Sequence, residues 1–267
     1  MKKLVKVSLV GALLITLSGG SLLAHAADVP YKSNGVTEFL PGNGPGEPLY
    51  PPDPDPMLPV EPIDPTNPGG EPNPGTSGPL TLDYASSWDF GQVKISSKDE
   101  KYYPNMISLK DGRSVLPYVQ VSDFRGTNSG WSLFVRQESQ FQNPALTHSE
   151  LTGAKIFVSS TGWITSSVPN MWNRPYSTNG SLVPGGGNME VFMAPEGTGG
   201  MTWLRTMGVS TEVINGAEKA KALELSIPGK TPKDAGKYST VLTWTLMDVP
   251  AEPQVPIDPF SEVEKSF

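Results

Sequence analysis

Trp131-Ser132-Leu133-Phe134-Val135-Arg136-Gln137 alternates large apolar residues along its length, and Tyr238-Ser239-Thr240-Val241-Leu242-Thr243-Trp244-Thr245-Leu246-Met247-Asp248 does so again further on. On a strand, residues i and i+2 share a face. Trp131, Leu133 and Val135 therefore point one way, with Ser132, Phe134 and Arg136 opposite. Tyr238, Thr240, Leu242, Trp244 and Leu246 share a face, and Val241, Thr243, Thr245 and Met247 line the other. Both stretches are apolar on both sides, which predicts two central strands.

Working outward, similar short runs recur: Leu80 to Tyr84, Trp88 to Ile95, Leu116 to Ser122, Ala154 to Ser159, Met189 to Ala194 and Ala222 to Ile227. Gly, Pro, Asn and Ser fill the gaps, as in Val183-Pro184-Gly185-Gly186-Gly187-Asn188. No stretch holds a helical period; the short helix-like piece Ala217 to Leu223 reads as a lead into a strand. The expectation is an all-β, single, sandwich-like domain over residues 80–250, large enough to bury a core without disulfides. Residues 251–267 form a C-terminal tail.

Before that domain the composition changes. Between Pro41 and Pro79 lie 14 of the chain's 28 prolines, as in Tyr50-Pro51-Pro52-Asp53-Pro54-Asp55-Pro56. Each proline removes a backbone donor and restricts its predecessor, so residues 27–79 read as an acidic, extended, proline-rich linker. A solvated spacer is the favoured reading, with a stalk or peptide ligand as the alternative. Ahead of it, Lys2, Lys3 and Lys6 precede an apolar run from Val7 to Leu17, and Ala24-His25-Ala26 closes the segment. Residues 1–26 read as a secretory signal peptide with cleavage before Ala27. No other membrane-spanning stretch is expected once it is removed.

Charge and cysteine bound the function. Removing the three signal lysines from 20 basic and 27 acidic residues leaves 17 against 27, or −10. Nucleic-acid binding and simple adhesion to an anionic polymer are both disfavoured by that sign. The chain has no cysteine, which excludes disulfides, thiol nucleophiles and thiolate metal sites. Past the signal segment only His148 remains, and no Ser-His-Asp elbow, zinc or calcium pattern or phosphate loop accompanies it. The expectation is a non-enzymatic protein with no metal and no cofactor.

Six tryptophans carry the rest: Trp88, Trp131, Trp163, Trp172, Trp203 and Trp244. An indole can stack on a sugar face or fill a core. Position on a central strand favours the core for Trp131 and Trp244. Trp163, Trp172 and Trp203 fall in glycine- and proline-rich stretches that read as loops, and are candidate aromatic ligand contacts. Asp123 and Arg125 are placed to pair across a turn and pin the approach to Gly130. Gly126 and Gly130 supply backbone angles that other residues resist.

Two longer frames surround these residues. One is Asp123-Phe124-Arg125-Gly126-Thr127-Asn128-Ser129-Gly130-Trp131-Ser132-Leu133. The other runs from Ala235-Gly236-Lys237-Tyr238 to Trp244-Thr245-Leu246. The first resembles the D-x-R-G-x(3)-G-W-x-L signature of the WxL domain surface proteins of low-GC Gram-positive bacteria, and the second resembles that family's closing W-x-L. Leu82-Asp83-Tyr84 to Trp88-Asp89-Phe90-Gly91 and Leu151-Thr152-Gly153-Ala154-Lys155-Ile156 are similar to two further blocks of the family. Gly200-Met201-Thr202-Trp203 resembles a glycine-threonine-tryptophan element, with Met201 where a small residue is expected, and Ser160 to Gly187 matches nothing in it. The resemblance implies a secreted, non-enzymatic surface protein held non-covalently on the cell wall, through peptidoglycan. Trp131, Leu133, Trp244 and Leu246 would be its motif residues, supported by Asp123, Arg125, Gly126, Gly130 and Tyr238. It also implies other WxL-family surface proteins as partners. The alternative is a protein-interaction subunit of an adhesion complex that is retained on the wall indirectly.

Overall fold

The computed structural model describes residues 32–52, 58–166 and 174–250. The expected signal peptide, the tail from residue 251 and Trp172 lie outside the described residues. The chain divides after Glu38 into two units. Residues 32–38 of the first are exposed and carry no regular structure. All that follows concerns the second, Phe39–Phe267.

Among the described residues the fold is all-β, with sixteen strands: β1 (Leu80–Ala85), β2 (Glu100–Tyr102), β3 (Ile107–Ser108), β4 (Ser114–Val115), β5 (Tyr118–Asp123), β6 (Trp131–Gln137), β7 (Lys155–Val158), β8 (Ile164–Ser166), β9 (Tyr176–Ser177), β10 (Gly180–Ser181), β11 (Met189–Ala194), β12 (Met201–Thr206), β13 (Glu212–Ile214), β14 (Ala217–Lys219), β15 (Leu223–Ile227) and β16 (Leu242–Met247). They form three four-stranded antiparallel sheets rather than the two of a simple sandwich. The first is ordered β1-β5-β12-β8, the second β10-β7-β15-β2 and the third β16-β6-β11-β9; β3-β4 and β13-β14 are separate ribbons. One core draws on all three sheets, with Leu82, Val119 and Val121 from the first, Ile156, Val158 and Leu223 from the second, and Trp131, Leu133 and Val135 from the third.

Four sequence expectations change. β6 lies between β16 and β11 and is central, but β16 is an edge strand. Its core-facing Leu242, Trp244 and Leu246 pack against the core, while Val241 and Met247 on the other face are exposed. β-branched and aromatic residues suit a half-buried pleat as well as a buried one, so composition did not separate edge from centre. Residues 88–95 form no strand: the Asp89 carboxylate accepts from Gly91 N (2.9 Å) and Asn105 Nδ2 (2.9 Å), and this turn breaks the run after Trp88. Ala217 to Leu223 leads into strand β15 as expected, but its first part is itself strand β14 and nothing in it is helical. Asn215 and Gly216, both with positive φ (53° and 82°), make the two-residue turn of the β13-β14 hairpin. Trp203 lies on β12, not in a loop, and is buried.

The proline-rich stretch is the largest difference. Over its described residues from Gly42 to Pro79 it is folded onto the β domain instead of standing free as a spacer. Leu49 and Val60 are buried in a second core with Tyr84, Ile107, Leu109, Val115, Tyr118 and Leu204. Prolines keep the stretch out of a continuous ladder, so isolated backbone pairs, such as Gly42 N to Phe124 O (3.0 Å) and Ile63 N to Ser108 O (2.8 Å), share its backbone groups with side chains of the first sheet. Gly46 N donates to Asp83 (2.9 Å) and Leu49 N to Gln120 Oε1 (2.8 Å), while Gln120 Nε2 donates to Glu47 O (2.9 Å). Asp83 is a buried carboxylate, and Thr81, Gln120 and Ser122 also donate to it. Arg113 sits over the Tyr50 ring at 4.3 Å.

Candidate functional site

β5 and β6 follow one another in the chain yet lie in different sheets, and so do β11 and β12. β5 pairs with β12, and β6 pairs with β11. The connections 124–130 and 195–200 therefore run side by side, and together they carry a two-stranded ribbon round a corner from the first sheet to the third. Gly197 N donates to Asn128 O (2.7 Å) across the pair. A corner this tight needs left-handed backbone. Gly126, Asn128 and Gly130 supply it on one side (φ 74°, 51° and 76°), and Gly197, Gly199 and Met201 on the other (82°, 81° and 68°). A Cβ on Gly130 would lie 2.4 Å from Ala194 O. The D-x-R-G-x(3)-G spacing is thus the spacing of a corner.

Two charged residues brace it. Asp123, buried at the end of β5, accepts from Arg125 Nε (2.9 Å) and Nη2 (2.7 Å). The same Nη2 donates to Gly130 O (2.7 Å), and Nη1 pairs with Asp248, directly after β16. One guanidinium therefore ties together the end of β5, the approach to β6 and the end of β16. The hydrogen bonds to Asp123, with those to Asp248, hold it above the usual arginine range.

The two W-x-L triplets sit on neighbouring antiparallel strands. Leu246 pairs with Leu133 and Trp244 with Val135. The leucines face each other across the ladder, and the tryptophans lie at opposite ends of the pair. Trp131 is 0% exposed; its indole N–H donates to Gly199 O (3.0 Å) and its ring meets Phe192 edge-on at 5.0 Å. A Cβ on Gly199 would lie 2.5 Å from that indole nitrogen. Trp203 pins the same connection, donating to Gly200 O (2.7 Å). Trp244 is half-buried and packs edge-on against Trp88 at 6.0 Å.

The remaining sequence candidates lie away from the corner. The Tyr238 hydroxyl donates to His148 O (2.7 Å) and accepts from Asp234 N (2.9 Å). Asp234 also meets the His148 ring (2.8 Å), and the hydrogen bonds from His148, backbone first, hold its carboxyl below the usual range. Trp163 is 57% exposed. Among the described residues no group of three or more His, Cys, Asp or Glu is placed to hold a metal.

Sequence reading gave no role to Asn128, Gly199 or Asp248, and placed Gly200 only within a family-like element. The run Gly197-Thr198-Gly199-Gly200 between two apolar stretches was the available signal for a second tight connection. The corner's polar groups are turned on one another, so its chemistry is that of a joint.

A model of the WxL domain surface cell wall-binding family matches residues 26–250. No curated protein and no solved structure gives a significant match.

Proposed function

Because this chain belongs to the WxL domain surface cell wall-binding family, we propose that its β fold grips peptidoglycan directly and without catalysis, with the two W-x-L triplets serving as its frame. It is a cell-surface protein that associates non-covalently with the wall. The observation that carries the proposal is the burial of Trp131, whose ring has no free face and whose N–H is already donated to Gly199. A sugar needs an open indole face. Wall contact therefore falls to exposed groups, and the triplets hold those groups in place. The excess of acidic residues, 27 against 20 in the whole chain, argues for stacking and neutral hydrogen bonds over charge.

The test is co-sedimentation of residues 27–267 with protein-free peptidoglycan at low and high salt. Salt-resistant binding is expected, with no release of soluble glycan or peptide over long incubation. Binding that vanishes at high salt would count against the proposal.

A second reading has its own observation. β16 is an edge strand without a charged residue, with Val241 just before it and Met247 at its end both exposed. Such an edge suits strand addition by a partner surface protein. That reading predicts no sedimentation of the pure chain and retention only when the partner is added.

A further inference from the structure

Of the tryptophans among the described residues, Trp163 alone is more than half exposed, and it is not a loosely held loop residue. Its backbone N–H donates to Thr206 Oγ1 (2.8 Å), and its carbonyl accepts from Thr206 N (2.9 Å). Its indole N–H donates to Val209 O (3.0 Å), and Gly208 N donates to Thr161 O (3.0 Å) on the preceding turn. Segments 161–163 and 206–209 are clamped together, and the indole is held by its N–H while the residue stays 57% exposed.

Two glycines make the clamp possible. A Cβ on Gly162 would lie 1.9 Å from Thr206 O, and Gly208 has φ 115°. Arg205, fully buried on β12, donates from its guanidinium to Ser159 O, two residues before the clamp, and to Met207 Sδ (2.9 Å) within it. Its Nε finds no partner, and burial pushes the group down to about 10, still charged at neutral pH. A buried cation is a costly brace for a surface loop.

We infer that Trp163 is a preorganised stacking platform for the apolar face of a sugar ring of the wall glycan. This rests on the wall-binding reading above and names its contact. The committed indole N–H leaves the ring faces as the binding element, which fits a pyranose C–H face and gives no handle on charge. Fixing the ring before binding removes most of the ordering cost that a mobile loop would carry.

The experiment compares residues 27–267 with Trp163→Ala and Trp163→Phe in binding to protein-free peptidoglycan, with thermal unfolding of each measured alongside. Loss of the platform should weaken binding about tenfold or more, with the unfolding midpoint within a few degrees of the parent. Phe, which keeps a stacking face, should recover most of the affinity. If the parent binds and Trp163→Ala binds equally well, the platform is overturned while the wall-binding reading stands. The platform is likewise overturned if Trp163→Ala keeps the wall but loses a co-sedimenting surface protein. If the parent itself fails to bind, the underlying reading falls first, and the platform falls with it.

Discussion

The molecule has two cores that were written into the sequence in opposite ways. The larger one, around Trp131, Leu133 and Val135, is built from strands whose alternation is visible residue by residue. The smaller one, around Leu49, Val60, Tyr84 and Tyr118, is closed by a stretch whose prolines suggested no packing at all. The contrast shows that proline density excludes a hydrogen-bonded ladder and says nothing against burial. Isolated apolar residues between prolines can still anchor a segment, provided side chains such as Asp83 and Gln120 take up its backbone groups.

The contrast can be broken or sharpened by experiment. The largest effect is expected for Trp131→Ala, which opens a cavity where three sheets meet and frees Gly199 O; a loss of about 3–5 kcal/mol is expected in denaturant unfolding. Leu49→Ala should cost about 2–4 kcal/mol, because Leu49 is as much a core residue as those on strands. A loss below about 0.5 kcal/mol would show the stretch to be a surface layer and restore the spacer reading. Trp244→Ala, on the edge strand, should cost less than Trp131→Ala, about 1–3 kcal/mol. Equal losses for the two tryptophans would remove the distinction between centre and edge within the larger core.

A break of another kind is a pH limb confined to the second core. Burial pushes the Tyr84 hydroxyl up to about 12 from 10.0, and Tyr118 beside it, at 4.6 Å between ring centres, is also pushed up. A folded-state value raised in this way gives stability that is complete below pH 10. It is lost as pH climbs from there through about 12, when the unfolded chain ionises first. Tyrosinate absorbance should rise together with loosening around Leu49 and Val60, before tryptophan fluorescence from the larger core changes. Simultaneous change in both signals would mean that the two cores unfold as one.

Much of the candidate site was legible in advance. The pairing of Asp123 with Arg125, the reach towards Gly130 and the need for glycine at 126 and 130 followed from turn chemistry, and the side chains are placed accordingly. The corner's second half was not legible. Gly199 and Gly200 take their meaning from Trp131 and Trp203, and Gly199 lies 68 residues along the chain from Trp131. Met201, odd in the sequence, holds a left-handed backbone angle at the start of β12.

The sequence by itself determined the all-β class, the span of β6 and β11, the register of apolar faces and the exclusion of thiol chemistry. These rest on local rules: side-chain alternation has a period of two, and composition needs no partner. Tertiary structure alone decided that β16 is an edge, that Trp203 is buried and Trp163 is not, and that the proline-rich stretch closes a core. Each of those depends on which distant strand or turn lies alongside. That is settled by burial and hydrogen-bond satisfaction over the whole chain, and no single stretch carries that information.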